Sequence, residues 1–181
     1  IPDIGLSNLD KIFWPKKKLS KQNLLTYIRE IYPYMIPYLR DRALTMIRCP
    51  DGVEEECFFQ KNLPTYAPEF VEYVEGDDKR QIICNKIETL IWMANHSTIE
   101  YHIPFQTIHS PYPTEIVFNL DPPHREKFHL AVLAAKMIKQ MLDELELVSF
   151  IKTSGNKGLQ IHIPLPKDEI SYEEPIYLII G

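Results

Sequence analysis

After Ser20, the apolar positions Leu24, Leu25, Ile28 and Ile31 recur with the spacing of one helix face. Ser20 can cap that helix, and the pattern predicts that it ends before Pro33. ALTMIR, residues 43–48, reads as a strand stopped by the turn signal Pro50-Asp51-Gly52, with CFFQK from Cys57 returning as its hairpin partner. Residues 63–80 are rich in Pro, Tyr and acids and read as a surface excursion. A short strand is expected over 81–84, a helix within 85–97 and an alternating strand, IEYHIP, over 99–104. EIVFNL, 115–120, reads as an apolar central strand. A long amphipathic helix is expected over 124–147, with Phe128, Ala131, Leu133, Ala135, Met137, Ile138 and Leu142 set against a sheet. Strands VSFIKT and LQIHIPL follow, separated by a glycine-containing turn. Strands alternating with helices predict an α/β (α+β) sheet domain.

The chain of 181 residues, 45% hydrophobic and 25% charged, has ordinary globular composition, with length enough for one domain or slightly more. Its apolar runs are too short to span a membrane, so no membrane partner is expected. After Ser171 the sequence turns apolar, EEPIYLIIG, and this reads as a fragment or as a core completed from elsewhere. Cys49, Cys57 and Cys84 form no CxxC pair; they read as reduced, buried thiols of a cytosolic protein, without structural zinc. Net charge is −5, which gives no general preference for nucleic acid. Yet Lys11, Lys16, Lys17, Lys18 and Lys21 lie together with no acid between them, either a solvated loop or a phosphate-binding patch.

Residues two apart on a strand share a face, so Asn119 and Asp121 project together at the end of VFNLDPP. Paired carboxylates at such a place can bridge two divalent cations; an amide at 119 keeps an oxygen but loses a charge. The alternative is an aspartate that merely shapes the turn. The run Ser154-Gly155-Asn156-Lys157-Gly158 is either a plain hairpin turn or one whose amides approach a phosphate. Gln160 and His162 share a face beyond it. His102 stands alone on its strand, and one of Phe58 and Phe59 could stack on a base.

NLDKIFWP, FFQKN, ETLIWMAN, EYHIP, IVFNLDPP and KTSGNKGLQIHIPL, taken in this order, resemble the polymerase domain of bacterial ligase D. That family belongs to the archaeo-eukaryotic primase superfamily and serves non-homologous end joining. The resemblance runs from about Leu6 to Tyr172 and implies one polymerase-like domain over 1–181, a central mixed sheet flanked by helices. It implies Mn²⁺ or Mg²⁺ at Asn119 and Asp121, which fall on the two aspartates of the family's metal motif. His102, Ser154, Gly155, Lys157, Gly158, Gln160 and His162 would meet the nucleotide triphosphate. Asn8, Lys11 and Lys21 would hold a DNA 5′-phosphate, Phe58 and Phe59 would stack on the template, and Arg48 would lie near a template or nucleotide contact. The implied reaction extends a primer 3′-OH with ribo- or deoxynucleotides at gapped or broken DNA ends. Implied partners are such DNA ends, nucleoside triphosphates, Ku protein and a ligase domain, in a bacterial cytoplasm near the nucleoid. Asn119 replaces an aspartate, Gln160 replaces a histidine, and the family's third metal aspartate falls beyond Gly181. The chain is therefore expected to be weakly active or inactive. The alternative is a non-catalytic module that binds 5′-phosphorylated DNA ends.

Overall fold

The computed structural model describes residues 4–76 and 79–167, which belong to two compact units, Ile1–His109 and Ser110–Gly181. In the first, strands β1 (Ile12–Trp14) and β2 (Leu19–Ser20) pair antiparallel ahead of helix α1 (Lys21–Leu39). The predicted cap at Ser20 is present: Asn23 Oδ1 accepts from the Ser20 N–H at 2.8 Å and from its hydroxyl at 3.1 Å. The helix does not end before Pro33. It runs through Pro33 and Pro37, because the same apolar face continues to Ile36 and Leu39, both buried in the core. Each proline forfeits one helical hydrogen bond, and burial beyond it offsets that loss.

Strand β3 (Thr45–Arg48) lies between β4 (Phe58–Gln60) and, later in the chain, β7 (Thr98–His102), both antiparallel to it. Strands β5 (Tyr73–Glu75) and β6 (Arg80–Ile82) form a separate hairpin, so the predicted surface excursion contains a strand. Helix α2 (Ile87–Asn95) packs on α1. Phe13, Leu44, Met46, Ile82, Leu90 and Met93 fill the centre of this unit.

The second unit carries β8 (Glu115–Leu120), α3 (Phe128–Glu144), β9 (Phe150–Thr153) and β10 (Leu159–Pro164), with a 3-10 turn at Arg125–Lys127. The sheet order is β8-β10-β9, all antiparallel. Among the described residues β10, not β8, is therefore the central strand. Leu159, Ile161 and Ile163 alternate inward and pack with Ala131, Ala135 and Leu142 of α3. The predicted helix face is only partly right. Leu133 and Met137 are 56% and 61% exposed, and Phe128 is partly so, because the stripe meeting this three-stranded sheet is narrow. The α+β expectation holds, as small antiparallel sheets with three α-helices among the described residues.

The cysteine expectation fails for two of the three. Cys49 and Cys57 form a disulfide, with Cα atoms 4.3 Å apart. Arg48 pairs with Phe58 across β3 and β4, so the next residues outward, 49 and 57, face each other where the strands part. Cys84 is free and buried, and burial pushes its thiol up to about 12, leaving it inert as a nucleophile. The apolar end EEPIYLIIG lies outside the described residues. Among those described, no helix is long and apolar enough to cross a membrane.

Candidate functional site

In the first unit the chain from Ser7 to Lys11 folds over the start of α1. Asn8 takes a left-handed conformation (φ 52°), which asparagine tolerates, and its carbonyl accepts from the Lys11 N–H at 3.1 Å. The Lys21 N–H donates to the Lys11 carbonyl at 2.8 Å, and the Gln22 N–H to that of Leu9 at 2.9 Å. Ser7 is tied in turn to α2, its N–H donating to Asn95 Oδ1 at 3.2 Å. These bonds bring Asn8, Lys11 and Lys21 to one helix N-terminus. Lys21 is only 3% exposed, and its ammonium donates to the Ser7 carbonyl at 2.7 Å. Burial, and then the nearby Lys11 charge, lower its pKa. Two cations drawn together at a helix start make a place that favours an anion.

The lysine run is not free of acids in space. Asp51 Oδ1 lies 2.6 Å from Lys11 Nζ, and Glu54 Oε1 lies 3.1 Å from Lys16 Nζ. Both carboxylates come from the loop between β3 and β4, and no sequence spacing marks them.

Arg48 is the hub of a neighbouring cluster. Its Nε donates to the His96 carbonyl at 2.6 Å, and its Nη1 to Gln60 Oε1 at 2.6 Å and to the Tyr66 hydroxyl at 3.0 Å. The guanidinium lies over the Phe58 ring at 5.5 Å. Tyr66 stacks on His96, with ring centres 5.4 Å apart. Burial, ahead of the Arg48 and Lys21 charges, lowers the His96 pKa against the opposing hydrogen bond that its ring makes to the Trp92 carbonyl. Phe58 and Phe59 face opposite sides of β4, as alternation requires, yet neither enters the core: they are 43% and 67% exposed. Both rings are thus available for stacking.

Phe59 shares its face with His102, ring centres 5.9 Å apart. His102 Nε2 lies 3.0 Å from Glu100 Oε2, a partner that the sequence did not single out. His102 also lines a hollow of about 310 Å³ with Thr45, Gln81 and Gln106.

In the second unit the sheet face opposite α3 carries Glu115, Asn119, Lys152, Gln160 and His162, aligned by the pairs Gln160–Asn119 and Gln160–Lys152. Gln160 Nε2 donates to Asn119 Oδ1 at 3.3 Å, and His162 Nδ1 lies 2.7 Å from Glu115 Oε2. The turn from Ser154 to Gly158 is a hairpin between β9 and β10 and is internally ordered. Ser154 Oγ accepts from the Gly158 N–H at 3.0 Å and the Asn156 N–H at 3.4 Å. Gly155 takes a positive φ of 87°, which favours glycine. Lys157 Nζ donates to the Pro123 carbonyl at 3.3 Å and lies 3.6 Å from Asp121 Oδ1. The turn and the end of β8 therefore sit together, as the sequence suggested for each separately. Arg125, which the sequence reading passed over, donates to Asn156 Oδ1 at 3.1 Å. The signal was its place four residues beyond Asp121, in the same DPPHR stretch.

A two-ion centre needs several carboxylates on one spot. Among the described residues Asp121 is the one carboxylate at the end of β8 beside Asn119, it shares its charge with Lys157, and the amide oxygen of Asn119 already accepts from Gln160. Among the described residues no three His, Cys, Asp or Glu side chains gather as metal ligands. These residues do not fit a two-ion centre. Lys157 and the turn amides could instead meet an anion.

The chain is 44% identical over 173 residues to the bifunctional non-homologous end joining protein LigD of Bacillus subtilis, covering 96% of this chain and 28% of that protein. It is 32% identical over 170 residues to the multifunctional protein LigD of Mycolicibacterium smegmatis, covering 90% and 22%. Among solved structures, the polymerase domain of Mycobacterium tuberculosis Ligase D in complex with DNA superposes with a TM-score of 0.82 at 28% identity, covering 93% of this chain and 63% of that one. The chain thus spans under a third of the length of these curated relatives. The family model for the LigD primase-polymerase domain matches residues 20–176. With that match and these identities, the chain belongs to the LigD primase-polymerase family.

Proposed function

We propose that this chain is a DNA-end nucleotidyltransferase domain of non-homologous end joining whose first unit binds the 5′-phosphate of a gapped or broken end. The observation that carries this reading is Lys21, a buried lysine at the first turn of α1 with Lys11 beside it. Asp51 meets the Lys11 charge in the free protein, and a phosphate dianion that displaces this exposed carboxylate can meet both ammoniums. The exposed Phe58 and Phe59 supply stacking surface for unpaired bases. A relative solved with DNA supports the same reading. The reaction is attack of a primer 3′-OH on a nucleoside triphosphate with loss of pyrophosphate. In the second unit Ser154, Lys157 and the turn amides are the candidate triphosphate contacts; in the first unit His102 is, taken by itself, a candidate phosphate contact. Nucleoside triphosphates, Ku protein and a ligase domain are its partners on this reading, and the bacterial cytoplasm is its compartment.

Mn²⁺ or Mg²⁺ binds weakly at Asp121 and Asn119 on this account, so the chain is weakly active or inactive alone. A second reading, a non-catalytic module for 5′-phosphorylated ends, is favoured by that same one-carboxylate cluster. Two assays separate the readings. Gel shifts should show tighter binding to 5′-phosphorylated than to 5′-hydroxyl gapped DNA, and equal affinity would reject the phosphate pocket. Manganese-dependent primer extension at the level of an active polymerase would reject the silent module.

A further inference from the structure

The loop between β3 and β4 joins its disulfide to the basic patch. From Asp51 to Glu56 it contains four acids, and two of them reach the lysine run: Asp51 meets Lys11 and Glu54 meets Lys16. Its backbone is laid along β1, the Val53 N–H donating to the Phe13 carbonyl at 3.0 Å. At Gly52, φ is +110° and a Cβ would meet the Phe13 and Ile12 carbonyl oxygens at 3.2 and 3.3 Å, so only glycine allows this approach. The Gly52 N–H donates back to the Cys49 carbonyl at 3.1 Å, and the Cys49 N–H to the Ser97 carbonyl at 2.9 Å. Cys57, eight residues along, closes the loop at its base.

We propose that loop 49–57 is an acidic competitor for the phosphate-binding lysines, and that the Cys49–Cys57 couple sets how firmly it competes. This rests on the phosphate reading of Lys11. With the disulfide closed, the loop keeps few alternative conformations, and Asp51 stays where a terminal phosphate must displace it. With the disulfide open, the 57 end is freed from Cys49 and Asp51 leaves Lys11 at lower cost. Disulfides of proteins that work in reducing compartments are usually redox-responsive rather than structural, and Cys57 is the accessible partner whereas Cys49 is buried. A low-molecular-weight thiolate attacks Cys57 Sγ, the S–S bond breaks, and Cys49 leaves as a thiolate and takes up a proton. A second thiol then attacks the mixed disulfide on Cys57 and is released with the first as a small disulfide, while Cys57 gains the other proton. Two small thiols are oxidised and the two cysteines reduced.

The test is fluorescence anisotropy on the full chain, with recessed DNA ends carrying either a 5′-phosphate or a 5′-hydroxyl. Protein oxidised with glutathione disulfide is compared with protein reduced by dithiothreitol, each state verified by thiol-alkylation mass. Reduction should tighten binding to the phosphorylated end by about two- to fivefold, the range expected for removing one exposed competing ion pair. The hydroxyl end should be unaffected. Asp51→Asn should show the same gain while still oxidised, and Cys57→Ser should behave as reduced protein whether or not dithiothreitol is present. A phosphate preference that ignores both reduction and Asp51→Asn overturns the competitor but leaves the phosphate pocket standing. No preference for phosphate in any state overturns both. Failure of glutathione disulfide to join Cys49 to Cys57 overturns the redox control.

Discussion

Gly158 lies so close against Leu120 that a Cβ there would stand 2.3 Å from the Leu120 carbonyl oxygen, and 3.4 Å from the Asp121 Cα. The turn carrying Ser154 and Lys157 is therefore packed directly on the strand end carrying Asp121. Gly158→Ala forces backbone apart and should cost about 1–3 kcal/mol. The midpoint of urea unfolding measures it; an unchanged midpoint would mean that the turn and strand are not in contact.

Asn119→Asp puts a second carboxylate beside Asp121 in place of an amide held by Gln160. Affinity for Mn²⁺ should rise about tenfold or more, since hard cations follow ligand charge. Electron paramagnetic resonance of free Mn²⁺ reads this without any turnover assay. Equal affinity in the two proteins would show that position 119 does not meet the ion.

His96 has a pKa lowered from its ordinary 6.5, chiefly by burial. Between that lowered value and 6.5 the unfolded chain binds more protons than the folded one, so its contribution to stability is full above 6.5 and is lost as pH falls. His96→Gln should flatten this decline. Urea midpoints on either side of 6.5, compared between the two proteins, give the result; an equally steep decline in the variant would assign it to other groups.

On α3, Leu142 is buried whereas Met137 is 61% exposed. Leu142→Ala should cost about 2–4 kcal/mol, and Met137→Ala no more than about 0.5 kcal/mol. Similar losses in thermal unfolding would mean that Met137 is covered in solution.

What could be read along the sequence was what neighbouring residues decide. EIVFNL became β8 with unchanged bounds, Ser20 begins α1, and the alternation of LQIHIPL separates the α3-facing Ile161 from the outward Gln160 and His162. Alternation foretold that Phe58 and Phe59 face opposite sides, but not that both stay outside the core. What escaped depends on partners far along the chain. Asp51 stands 40 residues from the Lys11 that it neutralises. The Cys49–Cys57 pairing is visible only once Arg48 is known to face Phe58. Pro33 misled because the rule for helix interiors weighs a lost hydrogen bond but not the core waiting for Ile36 and Leu39. Arg125 looked like the first turn of a helix until Asn156 arrived beside it.

Among the described residues β9 pairs on one side only, with β10, and all four of its residues are exposed, Phe150 and Ile151 among them. Such a margin is a ready template for another molecule's backbone, and Lys152 is the single charge on it. Two copies aligning edge to edge would bring those ammoniums near each other, a repulsion that concentrated electrolyte suppresses. Higher salt is therefore expected to favour association along this edge, with Lys152 as the charge that opposes it.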